Sequence, residues 1–407
     1  MKKVVMAVLA VLLCACSSPK DVDKETTPQF ITKQVSDEDL KSGKNWITNR
    51  VSFTKMPKKT FDKLPDDADM GLDLRAADVQ KIDFNKHIAA LKNIDFDTET
   101  VWGTQLPKSF NPDTILESGK NPGLGIRDLH KQGITGKGVS IGIIDQSLAI
   151  DHDEYKGKVR LYESLHGHGV YNSMHGPAVA SIAIGNTTGV APDAKLFHIE
   201  CNFTDIDDEG NQEVNLTYMA EAIHRMLDIN KQLSQEDKIR VISISRGFYK
   251  DDKEIAGSQE VYEAIEEAKK EGIFVITTST SENYDLTLFG LGKKLGADPD
   301  DLTSYERADF LKDAYVSERT LFVPMDGRTT AGFASKDSYA YYAKGGLSWA
   351  CPWLAGMYAL CVQENPGLTP EQFIEAALTT AIDCTSEDGV TIGKVVHPKA
   401  LIEEIRK

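Results

Sequence analysis

GKGVSIGIIDQS, residues 136–147, is the stretch on which the fold turns. Residues 139–144 form a short apolar run, as a strand buried on both faces does. Asp145 follows at its carboxyl end, where open α/β sheets build their sites. The same texture returns at 195–199, 240–244 and 273–276. Helical patterns lie between these runs, at about 176–184, 216–227 and 259–271, the last ending before Gly272. Strands alternating with helices predict an α/β fold with a parallel central sheet and helices on both faces. Residues 348–362 read as a buried helix. The next helix has Thr369 as N-cap, Pro370 at its first position and Gln372 three residues after the cap. Residues 119–407 thus read as one α/β domain.

The chain has 407 residues, 41% of them hydrophobic, enough for a sizeable core. Its formal charge of -16 repels phosphate backbones, so nucleic acid is not an expected partner. At the amino end Lys2 and Lys3 precede an apolar run too short to span a bilayer. The run ends in Leu13-Cys14-Ala15-Cys16, which looks like a bacterial lipobox. Residues 1–15 are therefore expected to be a lipoprotein signal. Cys16 would carry the lipid and hold the protein to a membrane outside the cytoplasm. Cys201, Cys351, Cys361 and Cys384 match no disulfide framework or zinc spacing, and no bridge is expected. Residues 17–44 read as a polar tether. From 46 to 102 apolar residues are scattered among charges without a period. Residues 16–118 fit an inhibitory leader, a packed extension or a spacer equally well.

Three segments carry chemistry. Asp145 ends the first strand. His175, in NSMHGPAVASIAIGNTTGVAP (172–192), stands at the start of a small-residue helix. Ser348, in GGLSWACPWLAGMYAL (345–360), opens a buried helix, where its own N–H can face an oxyanion. Each has an ordinary alternative: a loop aspartate, a capping histidine, an N-cap serine. His166 and His168 match no metal pattern.

Together and in the order Asp, His, Ser, the segments resemble the subtilisin-like serine peptidases over residues 120–385. Ser348 and Pro352 keep that family's serine-to-proline offset, and NPGLTPEQ (365–372) resembles its last helix. The resemblance implies a subtilisin-like three-layer fold and a serine endopeptidase acting on proteins or peptides without a cofactor or metal. Ser348 would be the nucleophile, His175 the general base and Asp145 its orienting partner. VISISRG (241–247) looks like the substrate-binding strand, with Ser245, Arg246 and Gly247 lining the pocket.

The pattern departs in places. The family's oxyanion asparagine falls at Ser281, with Asn283 as another donor. Gln146 and Ser147, Pro177 and Ala178, and Trp349 also differ from the family's usual residues. An inactive scaffold used for binding is therefore a second reading, and an ester hydrolase a third. The acidic stretch Asp205, Asp207, Asp208, Glu209 fails the calcium-loop pattern and reads as a solvated rim. Residues 301–316 read as a helical insertion.

Overall fold

The computed structural model describes residues 31–42, 46–48, 50–167, 173–206 and 211–407. The lipobox with Cys16, His168, and Asp207, Asp208 and Glu209 lie outside the described residues. The chain begins with β1 (Ile31–Lys33), α1 (Asp37–Ser42) and β2 (Trp46–Ile47), and continues through β3 (Leu72–Asp73), β4 (Ile94–Asp97), α2 (Pro112–Gly119) and α3 (Ile126–Lys131). The central part alternates: β5 (Ser140–Asp145), β6 (Val159–Gly167), α4 (His175–Ile184), β7 (Lys195–Glu200), α5 (Thr217–Gln232), β8 (Ile239–Ser243), α6 (Ser258–Lys270) and β9 (Phe274–Ile276).

The main sheet has the order β1-β6-β7-β5-β8-β9, with β2 also paired to β6. All its pairings are parallel except that of β1. Every residue of β5 is buried, which is why its sequence shows no alternation. After β5 the chain skips a place to β6, returns to β7 beside β5, and then crosses to β8 on the other side. The connections leaving β5 and β8 run to opposite sides, so the carboxyl ends of these two strands form the sheet's topological switch point.

The carboxyl-terminal part holds β10 (Thr287–Lys293), β11 (Tyr305–Arg307), β12 (Thr320–Pro324), β13 (Arg328–Ala331), β14 (Tyr339–Tyr342), α7 (Leu347–Glu364), α8 (Pro370–Thr380), β15 (Ile382–Thr385), β16 (Thr391–Val395) and α9 (Pro398–Ile405). A second sheet runs β11-β10-β12-β16-β15. Helices α4 and α7 pack together against the main sheet, and α5 and α6 form a separate pair. The core of α7 is apolar on all sides: Trp353, Leu354, Met357, Tyr358 and Leu360 are all fully buried. The predicted capping box of α8 is present, with both Thr369 and Gln372 bonds made.

Two expectations are corrected. Residues 31–42 are not a loose tether. β1 adds antiparallel to β6, and Val35 N–H donates to Glu163 at 2.9 Å. Glu163 also receives Arg225 Nε at 2.8 Å, while Arg225 Nη2 donates to the Val35 carbonyl at 2.7 Å. Val35, Leu40 and Trp46 are buried, and covering the rim of β6 hides an otherwise open sheet edge. Three buried anchors without a period leave no mark in the sequence. Residues 301–316 are not a helix either. They hold two single 3-10 turns around β11, which pairs antiparallel with β10. The Arg307 guanidinium satisfies the carbonyls of Ile392, Lys312 and Ala314, which a helix would have bonded internally or left elsewhere.

Residues 72–118 are packed, not a spacer. β3 and β4 extend a sheet of order β13-β14-β4-β3. Phe96 on β4 lies 5.2 Å from Tyr341, 5.3 Å from Trp102 and 6.1 Å from Phe110, centre to centre. Leu74, Val79, Phe84 and Ile94 complete this core together with Tyr341 and Ala343 from the far end of the chain.

Candidate active site

Asp145 is the last residue of β5 and is buried. Its carbonyl accepts the Cys201 N–H at 2.8 Å, which fixes the strand end to the end of β7. Its Oδ1 accepts the Gln146 N–H at 2.8 Å and lies 2.7 Å from His175 Nδ1. His175 is the first residue of α4. The helix start can come this close because the next residue has no side chain. A Cβ on Gly176 would sit 2.3 Å from the Ser147 carbonyl oxygen. Burial works against a charge on the His175 ring, but the Asp145 carboxylate and its hydrogen bond outweigh burial. The ring's pKa therefore stands above the ordinary histidine value. With Nδ1 donating to Asp145, Nε2 is the nitrogen free to take a proton.

Sequence reasoning missed His198 on β7. It is fully buried, stacks on Tyr162 and donates through Nε2 to the Gln146 carbonyl at 2.9 Å. Burial holds its pKa below the usual histidine range, so it stays a neutral clamp on the loop after Asp145. Its place on an apolar run hid it, since a histidine there reads as core.

Ser348 is the second residue of α7 rather than its N-cap. Gly346 holds the cap position at φ +67°, a left-handed conformation that glycine takes without strain. Pro352 stands four residues further on and has no N–H, so the Ser348 carbonyl has no donor within the helix. Ser245 Oγ supplies one at 2.8 Å. In return the Ser348 hydroxyl donates to the Ser245 carbonyl at 3.3 Å. It is therefore turned to Ser245, not to His175 Nε2. Trp349, the residue after Ser348, has its ring 5.4 Å from the His175 ring, centre to centre.

An aspartate–histidine pair at the sheet's switch point, with a serine in the first turn of α7, is the set of groups that nucleophilic acyl transfer uses. Residues 136–299 match the sequence profile of the subtilase family. Over that span the chain matches the subtilase family. The matched span contains Asp145, His175, Ser245–Gly247 and Ser281, and ends before Ser348. "Serine protease AprX" from Bacillus subtilis (strain 168) is 22% identical over 278 residues, which is 60% of this chain and 61% of that relative. The chain thus matches less than two thirds of that relative's length. The crystal structure of fervidolysin from Fervidobacterium pennivorans, described as a keratinolytic enzyme related to subtilisin, superposes with a TM-score of 0.50 at 19% identity. It covers 73% of this chain and 48% of that chain. At that identity the likeness concerns the fold alone.

Ser281 is exposed within a single 3-10 turn, Thr280–Glu282. Asn283 is corrected as a donor. Its amide nitrogen bonds the Tyr262 carbonyl at 3.1 Å and Glu266 Oε1 at 2.9 Å, both on α6. The turn rolls its side chain back onto the helix. Of the strand candidates, Ser245 touches the start of α7 as described. The Arg246 carbonyl accepts the Thr278 N–H at 3.2 Å, and Gly247 lies against the Thr278 and Ser279 hydroxyls. Cys201, Cys351 and Cys361 are buried free thiols. Asp205 is held by Tyr218 and Asn215 and is not a freely solvated rim charge.

The backbone before Ser348 is held by two carboxylates. Asp326 accepts the Gly345 N–H at 2.8 Å and Asp95, on β4, accepts the Ala343 N–H at 2.9 Å. Burial pushes Asp326 up to about 7. An unfolded aspartate titrates near about 3.9, so over the interval between the two values the folded form binds more protons. The stability this group contributes is full below the unfolded value and lost as pH rises through about 7. Urea midpoints at pH 5 and pH 8 should therefore lie closer together in Asp326→Asn than in the parent. An unchanged difference would mean that Asp326 titrates normally.

Proposed function

We propose that the chain is a serine endopeptidase that is exported, lipid-anchored at Cys16, and cuts extended segments of proteins or peptides. The observation that carries this reading is the 2.7 Å Asp145–His175 pair beside the first turn of α7. It is supported by the subtilase-family match and by a relative described as a serine protease. Ser348 attacks the peptide carbonyl while His175 Nε2 takes its proton. The proton then passes to the leaving amine, and water hydrolyses the acyl-enzyme. Asp145 holds the imidazole tautomer and stabilises its charged form. The Ser348 N–H is in the first turn of α7, where no acceptor within the helix exists, and can face the oxyanion. Labelling of the full chain by a fluorophosphonate, with the modified peptide mapped to Ser348, tests the reading. Labelling elsewhere, or none, would sink it.

Ser281 is the second oxyanion donor in this account. Ser281→Ala should lower kcat about a hundredfold with little change in KM. An unchanged kcat would leave the Ser348 N–H without that partner.

A second reading, a binding scaffold without turnover, is favoured by one observation: the Ser348 hydroxyl is bonded to Ser245. Peptide binding without labelling would select it.

A further inference from the structure

Arg246 sits one residue from Ser245, the side chain that grips the start of α7, and its carbonyl is fixed to Thr278. Its guanidinium is half-buried, yet no side chain or carbonyl among the described residues pairs with it. Arg75, Arg225, Arg319 and Arg406 are paired with carboxylates. Arg127, Arg240, Arg307 and Arg328 donate to carbonyls. Arg50 pairs with Asp151. Arg160 and Arg246 alone have no hydrogen bond or ion pair among the described residues, and Arg160 is exposed to water. Burial is the one influence on the Arg246 guanidinium, and it lowers the pKa. Glu282, on the neighbouring turn, is engaged with the Lys250 N–H at 3.1 Å. A guanidinium held partly out of water without an anion has an unmet electrostatic demand. Its fork of donors matches a carboxylate in two-point geometry.

We propose that Arg246 reads a carboxylate on the substrate, so that the site prefers peptides carrying Glu or Asp beside the bond held at Ser348. This rests on the peptidase reading and supplies its substrate class. The preference runs against the field of the whole molecule. With a formal charge of -16 the chain repels acidic peptides at long range, so a bias toward them can only arise from a local cation.

The test uses the full-length Ser348→Ala chain, which can hold a peptide without cutting it. Fluorescein-labelled octapeptide pools, with Glu, Gln or Lys fixed at one position and the others mixed, are titrated by anisotropy. At one position or more the Glu pool should bind about tenfold tighter than the Gln pool, with Lys weakest. Adding Arg246→Gln should bring the Glu and Gln pools together, and Arg246→Glu should give the advantage to Lys. A merely structural arginine would weaken all pools alike and invert nothing. Equal binding of Glu and Gln pools, a Glu preference that survives Arg246→Gln, or no binding by any pool would overturn the proposal. Failure of the peptidase reading shows separately, as absent fluorophosphonate labelling of the unmutated chain while the pools still rank.

Discussion

Ser348→Ala should abolish fluorophosphonate labelling and lower peptide turnover by about ten-thousandfold or more. His175→Ala should do nearly the same, although the serine remains. A serine hydroxyl is a weak nucleophile until a base takes its proton, and His175 Nε2 is the base on offer. The Asp145–His175 bond makes a further claim. Turnover needs the neutral ring, so it should fall as pH drops through the His175 pKa, which lies above the ordinary 6.5. In Asp145→Asn the carboxylate's pull is gone and burial alone acts, so the midpoint should move down while kcat falls about ten-thousandfold. A midpoint that stays put would mean that another group controls the acid limb. Turnover surviving in Ser348→Ala would place the nucleophile elsewhere.

Removing residues 31–118 should unfold the remainder rather than activate it. The deletion takes β1 and β2 off the main sheet, β3 and β4 off β14, and the buried faces of Phe96 and Ile94 away from Tyr341 and Ala343. A milder form of the same test is Phe96→Ala, which should cost about 3–5 kcal/mol of an expected total of roughly 5–15. Both parts should melt in one transition, whether followed at Trp102 in the extension or at Trp353 in α7. Two separated transitions would show an independent leader. The loss should also reach the site. Arg75, paired with Asp73, donates to the Tyr342 hydroxyl at 3.0 Å; Tyr342 meets Trp349 edge-on at 5.3 Å; and Trp349 lies against His175. The extension thus helps to hold the wall behind the base.

The parallel sheet, the helices between its strands and the three segments that carry Asp145, His175 and Ser348 are legible in the chain's residues alone. They are so because each is a local signal: an unbroken apolar run, a helix cap, a serine with proline four residues later. Strand burial and helix starts are written within a few neighbouring residues. The remaining features depend on contacts between residues far apart in the chain. The extension's apolar residues show no period because their partners, Tyr341 and Ala343, lie more than two hundred residues away. Asn283 reads as a donor until its turn lays it on α6. The 301–316 stretch reads as a helix until β10 offers it an edge. The resemblance places Arg246 at the pocket, but nothing in the sequence says whether its charge has a partner. Only the folded surroundings mark it as the one half-buried arginine without a hydrogen bond or ion pair among the described residues.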